Sequence, residues 1–174
     1  MKDCVYLIGC RAVGKSSIGM ELAKRLGYEF LDTDTLIVGK KKASVATIVA
    51  EEGWQGFRKV ENEVLSELRD RNHCVVATGG GAILHRDIWL ELKKQGQVIW
   101  LTADLEILCE RLRLDLYSET LRPSLTGKDI CQELGDILIE RKPLYRETAD
   151  IVVDTGKMTV TEAVHFIEQQ VVGS

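Results

Sequence analysis

The sequence predicts an α/β fold with a five-stranded parallel sheet and helices on both faces. Three observations predict it. Short apolar runs alternate with longer amphipathic stretches along all 174 residues, the pattern of strands joined by helical crossovers. The octapeptide GCRAVGKS, Gly9 to Ser16, fits the phosphate-loop pattern GxxxxGK[ST] between an apolar run and a helical one. The groups best suited to chemistry, among them Asp32, Asp34 and Gly79 to Gly81, follow predicted strands, where such sheets bind ligands.

The elements follow in order. Cys4 to Ile8 is an apolar run of strand length, and Ser16 to Leu26 is helical, closed by Gly27. Tyr28 to Leu31 reads as the second strand, ending in Asp32-Thr33-Asp34, and the next helix carries Leu36, Ile37 and Val38. Ser44 is a natural N-cap for a short helix through Glu51. A longer helix from Trp54 to Asp70 lines Phe57, Val60, Val64, Leu65 and Leu68 along one face. His73 to Ala77 is a third strand, terminating in Thr78 and the glycine triplet. Helix from His85 to Lys94, strand from Gln97 to Leu101 and helix from Asp104 to Leu112 continue the alternation. The polar stretch from Arg113 to Lys128, with Pro123 and Gly127, breaks it and has the length of a lid. Helix resumes from Ile130 to Tyr145 despite Pro143, Ile151 to Val153 is the fifth strand, and Thr159 with Glu162 forms a capping box for the last helix.

Composition narrows the function. A chain of this length with 45% hydrophobic residues suits one domain with a substantial core. Its net charge of −4 argues against a dedicated nucleic-acid binder, while 23 lysines and arginines leave small anionic ligands open. The five cysteines form no CxxC pair, and the histidines are scattered, which disfavours structural zinc and suits a reducing cytosol. Cys10, inside the phosphate loop, is the thiol whose reactivity matters. No signal h-region or membrane-length apolar run occurs, so the expectation is a soluble cytoplasmic protein, monomeric by default.

The phosphate loop carries the most specific chemistry. A loop that closes a strand onto a helix N-terminus turns successive N–H groups inward, and the helix dipole adds positive charge there. Arg11, Ala12, Val13, Gly14, Lys15, Ser16 and Ser17 are therefore the candidate nucleotide-phosphate residues. Lys15 reaches the outer phosphates, and the Ser16 hydroxyl is placed for a magnesium ion bridging them. Arg11 adds charge near the phosphates or faces water. Asp34, just past a strand end, suits binding a hydroxyl acceptor and taking its proton; Asp32 suits the magnesium side, acting through water. Both also suit capping the following helix.

Six motifs in one order make the chain resemble the shikimate kinases over essentially its whole length. They are GCRAVGKS, LDTD at Leu31 to Asp34, GFRKVE at Gly56 to Glu61, ATGGGA at Ala77 to Ala82, LRPSLTG at Leu121 to Gly127 and ERKPLYRE at Glu140 to Glu147. The resemblance implies a P-loop NTPase-type three-layer fold like that of nucleoside monophosphate kinases. It further implies a substrate-binding subdomain over about residues 33–61 and a lid over about 112–128. It implies transfer of the γ-phosphoryl group of ATP, with Mg2+, to the 3-hydroxyl of shikimate. In it Asp34 binds the reacting hydroxyl, and Arg58 and Arg141 together hold the shikimate carboxylate, a pairing that guanidinium geometry suits. Glu61, three residues beyond Arg58 on a helix, would hold that guanidinium. Gly79, Gly80 and Gly81 let the backbone approach the ring, and Phe57 lines its apolar face. Arg122 would reach over the transferring phosphoryl group from the lid. Arg111, rather than Arg113, and Asp154 with Thr155 match the adenine side.

Two departures stand out. Ala12 replaces a usual glycine, at a cost of about 1 kcal/mol if its φ is positive, and the proline common shortly after Asp154-Thr155 is missing. The competing readings are a kinase of the same fold acting on gluconate or a nucleoside monophosphate, and a non-enzymatic P-loop regulator. The acceptor motifs favour shikimate. DxxG and NKxD, which a GTPase switch would carry, do not occur.

Overall fold

The computed structural model describes residues 3–114 and 129–172. Its strands are β1 (Cys4–Ile8), β2 (Glu29–Asp32), β3 (Cys74–Ala77), β4 (Gly96–Thr102) and β5 (Ile151–Asp154). They form one parallel sheet in the order β2-β3-β1-β4-β5. The helices are α1 (Lys15–Leu26), α2 (Thr33–Lys41), α3 (Val45–Glu67), α4 (Arg86–Gln95), α5 (Leu105–Leu114), α6 (Ile130–Thr148) and α7 (Val160–Val172). Short 3-10 turns cover Leu68–Asp70 and Ala82–Leu84.

Period-2 geometry explains why β1 reads as an unbroken apolar run. Val5 and Leu7 point into a core shared with Ile18 and Leu22 of α1, Leu108 of α5 and Val164 of α7. Cys4, Tyr6 and Ile8 point to the other face, among Leu65, Trp89, Trp100 and Tyr145. A strand covered on both faces has no polar side to alternate with. β1 is also central, with β3 on one side and β4 on the other. Chain order reverses there, and a ligand crevice opens beyond the carboxyl ends of the strands.

Several boundaries differ from the sequence pattern, each for a local reason. The two helices expected on either side of Glu51 and Trp54 are joined as α3, bent at Gly53, whose φ of 70° and ψ of 178° interrupt the helical backbone. Glycine adopts that conformation at little cost, so the chain turns without ending the helix. α5 runs on to Leu114, beyond the expected end at Leu112, and α6 continues to Thr148, beyond Tyr145. Pro143 is tolerated inside α6 because Ile139, whose carbonyl loses its helical partner, lies on the solvent face. The capping box closes as expected: Glu162 Oε2 accepts from Thr159 N at 2.8 Å, and Thr159 Oγ1 accepts from Glu162 N at 3.3 Å. A third, smaller core of Ile37, Val45, Ile48, Phe57, Val60 and Val64 lies between α2 and α3. Among the described residues no helix is long and apolar enough to cross a membrane.

Candidate active site

The phosphate loop follows β1, where Gly9 is required by space: a Cβ there would lie 2.4 Å from the Leu101 carbonyl oxygen. Gly14, at φ 98°, turns the chain into α1. Ala12 has φ 63°, so the alanine that replaces a glycine does occupy the left-handed region. Returning glycine to that position should relieve roughly 1–2 kcal/mol of strain against about 0.4–1 kcal/mol of added unfolded-chain entropy. We expect Ala12→Gly to raise the melting temperature by about 1–3 °C; a lower one in a thermal melt would show that the alanine methyl packs better than it strains.

Lys15 folds back over the loop, donating from Nζ to the carbonyl oxygens of Gly9 at 2.8 Å and Cys10 at 2.6 Å. Its charge is thereby held at the mouth of the cradle, whose walls include Arg11, Ser16, Ser17, Asp32 and Asp34. The Ser16 hydroxyl donates to Asp32 Oδ2 at 2.9 Å. Asp32 Oδ1 meanwhile accepts from the backbone N–H groups of Asp34 at 3.0 Å and Thr35 at 3.3 Å. Asp32 thus caps α2 with one oxygen and faces the cleft with the other. A hydroxyl and a carboxylate set side by side are hard oxygen donors, and they fit magnesium, which takes few protein ligands beside water and phosphate. Among the described residues no cluster of three or more His, Cys, Asp or Glu could hold a metal, and such a phosphate-bound ion needs none.

Val13 is fully buried, so only its backbone faces the loop; its carbonyl accepts from the Thr155 hydroxyl at 2.9 Å. Thr155 is itself buried and is bound by Arg111, from Nη2 to the Thr155 carbonyl at 2.8 Å and from Nη1 to its hydroxyl at 3.2 Å. Arg111 Nη1 also reaches the Ala12 carbonyl at 3.4 Å. The adenine-side candidates therefore stand next to the phosphate loop, with Thr155 as their keystone. Asp154 turns away from it, its carboxylate accepting from Gly156 N at 3.0 Å and pairing with Lys157. Cys10 is buried, and burial pushes its thiol up, opposed by Lys15 and Arg141. The thiol is thus shielded in the folded protein.

A second cleft opens beside the first. Arg58 and Arg141, most of the chain apart in sequence, both line it, with Phe57, Trp54, Gly81 and Leu134. The Arg58 guanidinium lies 5.3 Å from the Phe57 ring centroid and 5.7 Å from that of Trp54, in cation–π range. Gly81 closes against it: a Cβ there would come within 2.0 Å of Arg58 Nη1. Arg58 Nη1 donates to Glu61 Oε2 at 2.5 Å, with the Glu61 side chain only 1% exposed. Arg141 is 8% exposed, and its Nε has no hydrogen-bond partner among the described residues. One helical turn on, the Tyr145 hydroxyl donates to the Gly80 carbonyl at 2.6 Å and so ties α6 to the glycine turn. Burial raises the Tyr145 phenol, which keeps it a neutral donor.

Asp34, Arg11 and Gly80 line both clefts. The glycine turn packs on the phosphate loop there, Gly80 lying against Gly9 and Cys10. Gly79 is held from the other side, its N–H donating to Thr33 Oγ1 at 2.8 Å. Arg122 lies outside the described residues, as does the predicted lid beyond Leu114. The sequence pointed to no site role for Trp54, Leu134 or Tyr145. The first two repeat at helical spacing like any core residue. Tyr145 was visible only as part of ERKPLYRE, and Thr155 was named with the adenine side while its bond to the phosphate loop left no sequence pattern.

The family model for shikimate kinase matches residues 11–171. The shikimate kinase 2 of Yersinia enterocolitica serotype O:8 / biotype 1B is 45% identical over 154 residues, which are 88% of this chain and 87% of that protein. The shikimate kinase of Nitratidesulfovibrio vulgaris is 42% identical over 149 residues, 86% of this chain and 85% of its own. Among solved structures, a shikimate kinase from Acinetobacter baumannii in complex with shikimate is similar at a TM-score of 0.90. Its identity is 37%, with 98% of this chain and 93% of that one covered. Sequence, fold and the paired clefts agree, and the chain belongs to the shikimate kinase family.

Proposed function

We propose that this chain, an ATP-dependent shikimate kinase, transfers the γ-phosphoryl group across the junction at Asp34, with the acceptor held in the Arg58 and Arg141 cleft. The observation that carries this is the meeting of two clefts of different chemistry at one carboxylate. The phosphate cradle offers Lys15, Ser16 and loop amides to a triphosphate; the second cleft offers two guanidinium groups on an apolar floor, suited to a small carboxylic acid with a ring. Residues 33–61 act as the substrate-binding subdomain, a reading supported by the small separate core between α2 and α3.

In this mechanism Asp34 accepts the proton of the 3-hydroxyl as its oxygen bonds to the γ-phosphorus. The bond from that phosphorus to the β–γ bridging oxygen breaks, and ADP leaves. Such a transition state asks the protein for alignment and for positive charge around the phosphoryl oxygens. Lys15 and the α1 N-terminus supply charge on the donor side. Arg11 adds to it from the wall the two clefts share. Gly80, anchored by Tyr145, keeps the backbone close enough for the acceptor to lie against the phosphate loop. Ser16 and Asp32 would hold magnesium, which neutralises phosphate charge when bound.

Asp32→Asn tests the metal role, because the amide keeps an oxygen for the α2 cap while an uncharged NH2 that cannot ligate a cation replaces the cleft-facing oxygen. Half-saturation by magnesium should rise about tenfold, and excess metal should recover most of the turnover. An unchanged magnesium titration would remove Asp32 from that role. The function itself is tested by a coupled assay of purified protein with ATP, magnesium and shikimate, in which ADP release should require the acceptor.

A further inference from the structure

We propose that His85 is a positioning residue for the acceptor clamp: through Glu61 it sets how the Arg58 guanidinium is presented to the acceptor carboxylate. The inference rests on the assignment of Arg58 to that carboxylate and extends it to a residue outside the recognised motifs.

His85 stands at the N-cap position of α4 yet makes no side-chain cap there. Its ring reaches across to α3 instead. Nε2 lies 3.0 Å from Glu61 Oε2, the same oxygen that accepts from Arg58 Nη1 at 2.5 Å. Nδ1 lies 3.2 Å from the Asn62 side-chain nitrogen. An amide nitrogen can only donate, so Nδ1 must accept, and the ring proton of neutral His85 is on Nε2, aimed at Glu61. Asn62 fixes the tautomer, His85 donates to Glu61, and Glu61 orients Arg58.

Donor count gives the relay its consequence. Glu61 is almost fully buried, and its Oε1 has no hydrogen-bond partner among the described residues. A buried carboxylate needs every donor it has. With His85 present, Arg58 shares that demand. Without it, Glu61 depends on Arg58 alone and draws the guanidinium away from a bound carboxylate. The same loop delivers both sides of this arrangement, because Gly81 presses on Arg58 and the 3-10 turn Ala82–Leu84 leads directly to His85.

The test pairs a measurement on the free protein with a kinetic one. In wild-type protein carrying 15N-labelled histidine, NMR at a pH where the ring is neutral should show His85 protonated on Nε2. A proton on Nδ1 overturns the proposal. His85→Leu should raise KM for shikimate about fivefold to thirtyfold, the loss of one donor to a charged group, with kcat and KM for ATP within about twofold of wild type. His85→Gln, whose amide nitrogen reaches the same oxygen, should restore KM to within about threefold. An unchanged KM in His85→Leu, or a loss shared equally by kcat and ATP, overturns it. If His85→Leu does not fold, the tautomer and the KM of His85→Gln decide alone. Should the wild type prefer another carboxylic acid, that acid enters the same comparison, so a wrong acceptor and a wrong role for His85 give different results.

Discussion

Lys15→Ala is expected to lower turnover by at least about two orders of magnitude while leaving the fold intact, the loss typical of removing a main donor to developing charge. The lysine is the first residue of α1, yet its side chain leaves the helix and closes over Gly9 and Cys10 by two short hydrogen bonds. Both bonds are made by the ammonium group at the loop mouth, where the proposed function puts the outer phosphates of the nucleotide. Packing does not depend on it. α1 is anchored by Ile18, Leu22 and Ala23, all in the main core. Single-turnover rates with saturating ATP and shikimate, set beside circular dichroism and a thermal melt, check the expectation. Near-normal turnover would exclude the loop from phosphate binding, whereas a lost melt would show that the two carbonyl contacts hold the loop itself.

How much was legible in the sequence depends on whether a feature is local or assembled. GCRAVGKS announces itself because strand, glycines, lysine and serine must stand in one short order for a phosphate cradle to form. β1 was legible for a related reason: both faces are buried, so every residue from Cys4 to Ile8 is apolar or aromatic. Boundaries were less so. The bend at Gly53 looks in sequence like a break between helices, since an isolated glycine marks an end as readily as a kink. Asp32 shows the limit at a single residue. Capping and metal binding both ask for an aspartate after a strand, and only the structure shows that one oxygen makes the cap while the other turns to Ser16 in the cleft.

Assembled features left almost no local trace. Arg58 and Arg141 are ordinary helical arginines until strand order brings α3 and α6 to the same edge of the sheet. Resemblance to a family joined them; periodicity had nothing to say. Thr155 and Tyr145 each reach a distant loop and His85 reaches helix α3 through one hydrogen bond or two, and nothing in their neighbours in sequence foretells the partner.

The clamp is therefore where substitution separates this acceptor from every other that a kinase of this fold accepts. Arg58→Ala and Arg141→Ala should each lower the specificity constant for shikimate about thirtyfold to a thousandfold. That range corresponds to about 2–4 kcal/mol for leaving a carboxylate half paired. ATP binding should stay close to wild type, because among the described residues the phosphate cradle shares with this cleft Arg11, Asp34 and Gly80, and neither arginine of the pair. The two variants should differ in stability. Arg58→Ala strips buried Glu61 of its nearest cation, with only His85 left on that oxygen, so its melting temperature should fall as well. Arg141 has a buried Nε without a hydrogen-bond partner among the described residues, so Arg141→Ala should cost activity with less loss of stability. If both guanidiniums grip one carboxylate, the double variant should lose less than the sum of the single losses. Removing the carboxylate from the other side completes the argument: the carboxamide of shikimate should be a very poor acceptor for the wild type and should discriminate little among the three variants. Gluconate and nucleoside monophosphates should be nearly inert, and faster turnover of either than of shikimate would overturn the assignment of this cleft.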